Sequence, residues 1–152
     1  MLFPNEKWES VEERIYLSPR RAVGKKSNYK NELRNAQILR DHGCIIYFAP
    51  ESRRHDGKQF DAIVNGLAFE FKNVGGNANT LITQFLKSRA QAPNVFINLE
   101  TSDLTSHEIM SALYGARGSN RYVAGSGGWV ILKTRDTDSL ICLEADSLKA
   151  PG

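Results

Sequence analysis

The sequence predicts an α/β chain, an α+β sandwich in which helices flank a mixed sheet in the order α-β-β-β-α-β. Three observations carry the prediction. Asn65-Gly66 lies between two alternating apolar runs in QFDAIVNGLAFEFKNV (59–74), a strong short-range signal for a two-residue type I′ hairpin. The stretch NYKNELRNAQILRDHG before it repeats its apolar residues at helical spacing. A third segment, from about Asn79 to Ala92, does the same after Gly75-Gly76, and leads into the apolar run VFINLE.

Each element has its own signal. Ser27 or Asn28 can cap a helix over Tyr29 to His42, and Gly43 is placed to end it. Tyr29, Leu33, Ala36 and Leu39 form its apolar stripe, and at 100° per residue Glu32 projects into that stripe. A buried carboxylate is costly unless it is paired or bound to a metal, so Glu32 either joins a site or pairs with a nearby Arg or Lys. CIIYFA (44–49) reads as a buried strand closed by Pro50, and ESRRHDGK, with His55, as a polar loop.

The hairpin follows, and its turn fixes the register: Val64 with Leu67, Ile63 with Ala68, Ala62 with Phe69, Asp61 with Glu70 and Gln59 with Lys72. Side chains alternate between faces. Phe60, Ala62, Val64, Leu67, Phe69 and Phe71 form the core face, and Gln59, Asp61, Ile63, Ala68, Glu70 and Lys72 form the other. Two carboxylates about 4 Å apart repel by roughly 4 kcal/mol at an effective dielectric near 20. Lys72 offsets part of this; a divalent cation between the carboxylate oxygens offsets more. The alternative is a solvated face with an ion pair.

Asn79 or Thr80 caps the next helix, with Leu81, Ile82, Phe85 and Leu86 as its apolar face and Gln84, Lys87 and Gln91 as its polar stripe. Pro93 ends it, and Val95 to Glu100 is a strand. Thr105 or Ser106 caps a helix to about Gly115. ARGSNRYVAGSGG is a Gly/Ser loop carrying Arg117 and Arg121, suited either to a substrate backbone or to a connector role. Trp129 to Lys133 and Ser139 to Glu144 form a closing hairpin.

Composition bounds the rest. The 152 residues, 41% hydrophobic and 24% charged, suit one domain: a basic N-terminal segment (1–26), a core (27–100) and a C-terminal helix and hairpin (101–152). A net charge of +3 permits nucleic-acid binding without demanding it. Arg20, Arg21, Lys25 and Lys26 are the densest positive run, either a phosphate-contacting arm or a solvated loop. Cys44 and Cys142, far apart in apolar runs, read as buried free thiols. No apolar run approaches a membrane span and the N-terminus lacks a signal-peptide pattern, which predicts a soluble, untargeted chain.

Asp61, eight residues, then Glu70-Phe71-Lys72 resembles the motif of the PD-(D/E)XK nuclease superfamily, with Phe60 where the motif's name places a proline. With its flanking elements, the chain is similar to the C-terminal toxin nuclease domains of bacterial contact-dependent growth inhibition proteins, several of which are tRNases. That resemblance implies a restriction-endonuclease-like core and a metal-dependent endonuclease. Asp61, Glu70, the Phe71 carbonyl and Glu32 would hold Mg²⁺, or Mn²⁺ or another divalent cation. Lys72 would act on the attacking water, Gln84 on nucleophile or substrate, and Lys87, Arg117, Arg121, Lys25 and Lys26 on the substrate backbone. It further implies tRNA as substrate, a cognate immunity protein as partner, and action in the cytoplasm of a target bacterium. A DNA endonuclease of a restriction, repair or mobile-element system, and an inactive binding module of the same fold, are the alternatives.

Overall fold

The computed structural model describes residues 3, 5–21, 29–50, 60–119 and 127–148. The chain divides into two compact units, residues 1–71 and 72–152.

The first unit opens with a hairpin inside the N-terminal segment, for which the sequence predicts no strand. Strands β1 (Glu9–Glu12) and β2 (Ile15–Leu17) pair antiparallel around Glu13-Arg14. Arg14 takes the left-handed conformation at φ 59°, a place where glycine or asparagine is the usual signal. Helix α1 (Tyr29–Asp41) then returns the chain to β3 (Ile46–Phe48), which runs parallel to β2. Strands β4 (Ala62–Val64) and β5 (Leu67–Asn73) complete a mixed set, β3–β4 and β4–β5 both antiparallel. From α1 through the second unit's first helix and strand, the elements occur in the predicted order: helix, strand, strand, strand, helix, strand.

The hairpin turn is as predicted. Asn65 and Gly66 have φ values of 48° and 86°, the double positive φ that a type I′ turn requires. The Asn65 carboxamide oxygen accepts the Ile45 N–H at 2.9 Å, and the Asn65 N–H donates to the Ile45 carbonyl at 3.0 Å. The turn is thereby tied to the chain entering β3. Val64↔Leu67, Ile63↔Ala68 and Ala62↔Phe69 are the observed pairs.

Burial departs from the predicted faces at two positions. Leu67, expected in the core, is 45% exposed because it adjoins the surface turn, while Ile63, expected on the charged face, is buried. Both faces of β4 are covered, so the second face is not a solvated one. Ile15, Ala36, Leu39, Ile46, Phe48, Ala62 and Phe69 are among the unit's buried apolar residues around α1 and the strands. Cys44, two residues before β3, is half-buried, and Cys142, on the open side of β8 in the second unit, is exposed, so neither is the buried thiol expected.

In the second unit, Asn77 caps α2 (Ala78–Gln91) by accepting the Thr80 N–H at 3.1 Å, ahead of the expected cap at Asn79 or Thr80. Strand β6 (Asn94–Leu99) is buried at every position and pairs parallel with β7 (Trp129–Thr134), the pairing expected of a continuous apolar run. Helix α3 (Ser106–Arg117) lies between them in sequence and packs on α2; it starts with a capping box formed by Thr105 and Glu108. β8 (Leu140–Glu144) pairs antiparallel with β7 and leads into one 3₁₀ turn, Ala145–Ser147. Leu81, Phe85, Val95, Ile97, Leu113 and Leu132 belong to one buried cluster. No helix among the described residues is long and apolar enough to cross a membrane.

Candidate functional site

The regular ladder of the central hairpin ends at Ala62, and the irregularity places the first acid. Asp61 donates its N–H to the Phe69 carbonyl at 3.0 Å, and its carboxylate Oδ2 accepts the Phe71 N–H at 2.7 Å. The cross-strand pair expected between Asp61 and Glu70 is therefore replaced: Asp61 folds its side chain onto the main chain of β5, past Glu70. The short side chain of aspartate competes well for nearby backbone N–H groups, which explains the departure from simple pairing.

Glu32 enters from the first turn of α1. Its carboxylate and that of Asp61 meet at one group, the guanidinium of Arg21. Nη2 of Arg21 lies 2.5 Å from Glu32 Oε2 and 3.4 Å from Asp61 Oδ1. Nη1 donates to the main-chain carbonyls of Ala49 at 2.9 Å and Asp61 at 3.2 Å. Cζ sits 5.9 Å from the centre of the Phe48 ring. The Arg21 side chain is only 6% exposed, against 17% for Glu32 and 20% for Asp61. A planar cation with several fixed donors suits such a place better than an ammonium would.

Arg21 is the residue that the sequence analysis misplaces. It stands in the basic run expected to be a phosphate arm or a solvated loop, yet it is buried against two acids. Its neighbour Arg20 pairs with Glu6 instead, and Arg20 holds Glu6 below the usual carboxylate range by that hydrogen bond. The only forewarning was Glu32 itself, whose place on the stripe calls for a positive partner.

Glu70 is buried, at 6% exposure. Lys72 follows it by two residues along the continuous strand β5, so alternation puts both on the same side of that strand. Phe71 turns its N–H toward Asp61. In a strand the N–H and C=O of one residue face the same neighbour, which directs the Phe71 carbonyl to that edge as well. Tyr29, at the start of α1, has its phenol pushed above the ordinary 10.0 by burial first and then by the charges of Glu12 and Glu32.

In the second unit, Gln84 is half-buried and Lys87 exposed on α2. Arg117 ends α3 rather than opening the loop after it, and its Nη1 donates to the Leu148 carbonyl at 2.7 Å. The expected helix end near Gly115 is corrected by two residues. Lys25, Lys26, Arg121, His55 and Gln59 lie outside the described residues.

Among the described residues, no three His, Cys, Asp or Glu side chains come together as a metal-holding group. What the first unit does hold is a pair of hard oxygen donors from separate elements that share one positive charge. That donor chemistry fits a divalent cation of the Mg²⁺ type, and Arg21 is the cation between them here.

No protein-family model matches the chain, and no curated protein matches it. Among solved structures, it is similar to a chain of the CdiA-CT/CdiI toxin and immunity complex from Burkholderia pseudomallei, with a TM-score of 0.60 and 21% sequence identity over 84% of this chain and 98% of that one. At that identity the likeness is one of fold: the chain shares the architecture of a protein from a bacterial toxin and immunity pair.

Proposed function

We propose that this chain is a toxin domain of a bacterial competition system, a metal-dependent endonuclease of the PD-(D/E)XK type that hydrolyses phosphodiester bonds, with tRNA as its substrate class. The observation that carries the reading is the convergence of Glu32 and Asp61 on one cationic group, with Asp61 bonded to the strand that bears Glu70 and Lys72. The fold shared with a toxin and immunity complex supports the biological setting.

Asp61, Glu32 and Glu70, with the Phe71 carbonyl, are the groups that would hold Mg²⁺ or a similar ion. When bound, such an ion supplies activation of a water and charge neutralisation at the phosphate. Lys72, two residues beyond Glu70, orients the attacking water through its ammonium donors and stabilises the negative charge that grows on the phosphate oxygens as the pentavalent transition state forms. Asp61 is held in its working orientation by the Phe71 N–H. Gln84 is assigned to hold the nucleophile or substrate, and Lys87, Arg117, Arg121, Lys25 and Lys26 to contact the substrate's phosphates. Delivered into a target cell, the domain acts in the cytoplasm, and a cognate immunity protein neutralises it by covering the substrate face.

The experiment is incubation of the purified protein with total tRNA and, separately, with plasmid DNA, each with Mg²⁺ and with chelator. Nicking of tRNA alone, abolished by chelator, is the expected result. Cutting of plasmid alone replaces the RNA substrate by DNA, and cutting of neither overturns the nuclease reading.

A further inference from the structure

We propose that Arg21 is the positioning residue of this acidic site, a resident counter-cation that holds Glu32 and Asp61 together in the metal-free protein and yields its place when a divalent cation binds. The inference rests on the metal-dependent reading above and deepens it.

Two carboxylates from separate elements, each no more than one-fifth exposed, need a positive charge between them. Arg21 supplies it, and is itself more buried than either acid. Burying a guanidinium is unfavourable unless its donors are satisfied. Here both terminal nitrogens are bonded, Nη1 to the carbonyls of Ala49 and Asp61 and Nη2 to Glu32, and the Phe48 ring lies against the guanidinium. The bonds are unequal. Nη2 is close to Glu32 at 2.5 Å, whereas its contact with Asp61 Oδ1, at 3.4 Å, is at the limit of a hydrogen bond. Asp61 commits its other oxygen to Phe71 at 2.7 Å. The Arg21–Asp61 side-chain contact is thus the weak link, and it is the oxygen of Asp61 most open to exchange. A guanidinium and a divalent cation cannot share that position, because like charges so close repel strongly.

The test is a pair of measurements on the whole chain. Mg²⁺ is titrated calorimetrically into the wild type and into R21Q, whose amide keeps donors for the two carbonyls but carries no charge. Removing the competing charge is expected to tighten Mg²⁺ binding by about tenfold or more. In parallel, the arginine guanidinium NMR signals of the wild type are followed through the titration, with the Arg21 signal identified by its absence in R21K. That signal is expected to shift in step with Mg²⁺ occupancy. It reads the wild type alone, so the inference stays open to refutation if R21Q fails to fold. Mg²⁺ binding to the wild type with the Arg21 signal unmoved, or with equal affinity in a folded R21Q, overturns the exchange and leaves the nuclease reading standing. Absence of Mg²⁺ binding to both proteins overturns both.

Discussion

Arg21 and Asp61 are joined twice, once to the main chain and once to the side chain: Nη1 of Arg21 donates to the Asp61 carbonyl at 3.2 Å and Nη2 to the carboxylate at 3.4 Å. Arg21, which follows the first hairpin, and Asp61, at the entry to the second, are thereby linked across forty positions of sequence, at the point where the carboxylates of Glu32 and Asp61 meet.

Arg21→Ala removes the positive partner of two largely buried carboxylates and leaves two carbonyls without their donor. A loss of about 3 kcal/mol in unfolding free energy is expected, in line with truncation of a buried ion pair. Urea denaturation measures it. A loss within a few tenths of a kcal/mol shows that the contacts contribute little to folding.

Gly66 stands in open space at φ 86°, with nothing within 4 Å of a β-carbon added there. Gly66→Ala therefore introduces backbone strain alone, about 1 to 2 kcal/mol. Gly66→Asn is expected to lose less, since asparagine tolerates the left-handed region. Thermal denaturation of both variants checks the order.

Gly128 differs, although its φ of 96° is similar. A β-carbon there would lie 1.9 Å from the Pro93 carbonyl oxygen, against backbone that cannot swing aside. Gly128→Ala is expected to destabilise the protein by more than Gly66→Ala, about 3 kcal/mol or more, as overpacking adds to strain. Equal losses in the two variants contradict the close approach.

The capping box of α3 predicts a pH dependence. The Thr105 N–H, and secondarily its hydroxyl, hold the Glu108 carboxyl below its ordinary value of 4.5. A carboxyl depressed by folding stabilises the folded state above its unfolded value, and that contribution is lost as pH falls through the folded value. The stability difference between wild type and Glu108→Gln is thus expected to be constant near neutrality and to shrink as pH drops below 4.5. A difference that grows on acidification contradicts the assignment. Glu108 is at the surface, so high salt is expected to reduce the effect as well.

The central hairpin was legible because both residues of its turn need positive φ, and Asn-Gly announces that in two letters. Three cross-strand pairs followed from it. The fourth did not, since Asp61 leaves the ladder to bond the Phe71 N–H, a local competition that alternation does not encode. The first hairpin was hidden for the opposite reason: Glu13-Arg14 turns the chain with a left-handed arginine and carries no turn residues. Helices α1 and α2 and strand β6 were readable from period and apolar run. The partner of Glu32 was not, because charge pairing between residues 21, 32 and 61 is decided by tertiary approach. Sequence showed that Glu32 needed a cation; only the fold says that Arg21 is one.

The proposed hydrolytic site consists of Asp61, Glu70 and Lys72. The most direct measurement is the rate of tRNA cleavage in Mg²⁺ by the wild type, Asp61→Asn and Lys72→Ala, with folding of each verified by circular dichroism. Asn in place of Asp61 keeps an acceptor for the Phe71 N–H, whereas Asp61→Ala would also leave that donor unpaired, at about 1 to 3 kcal/mol. The expected result is loss of cleavage by about a hundredfold or more in both variants, with the fold retained, as for removal of one transition-state donor. Cleavage at the wild-type rate by either folded variant contradicts the claim.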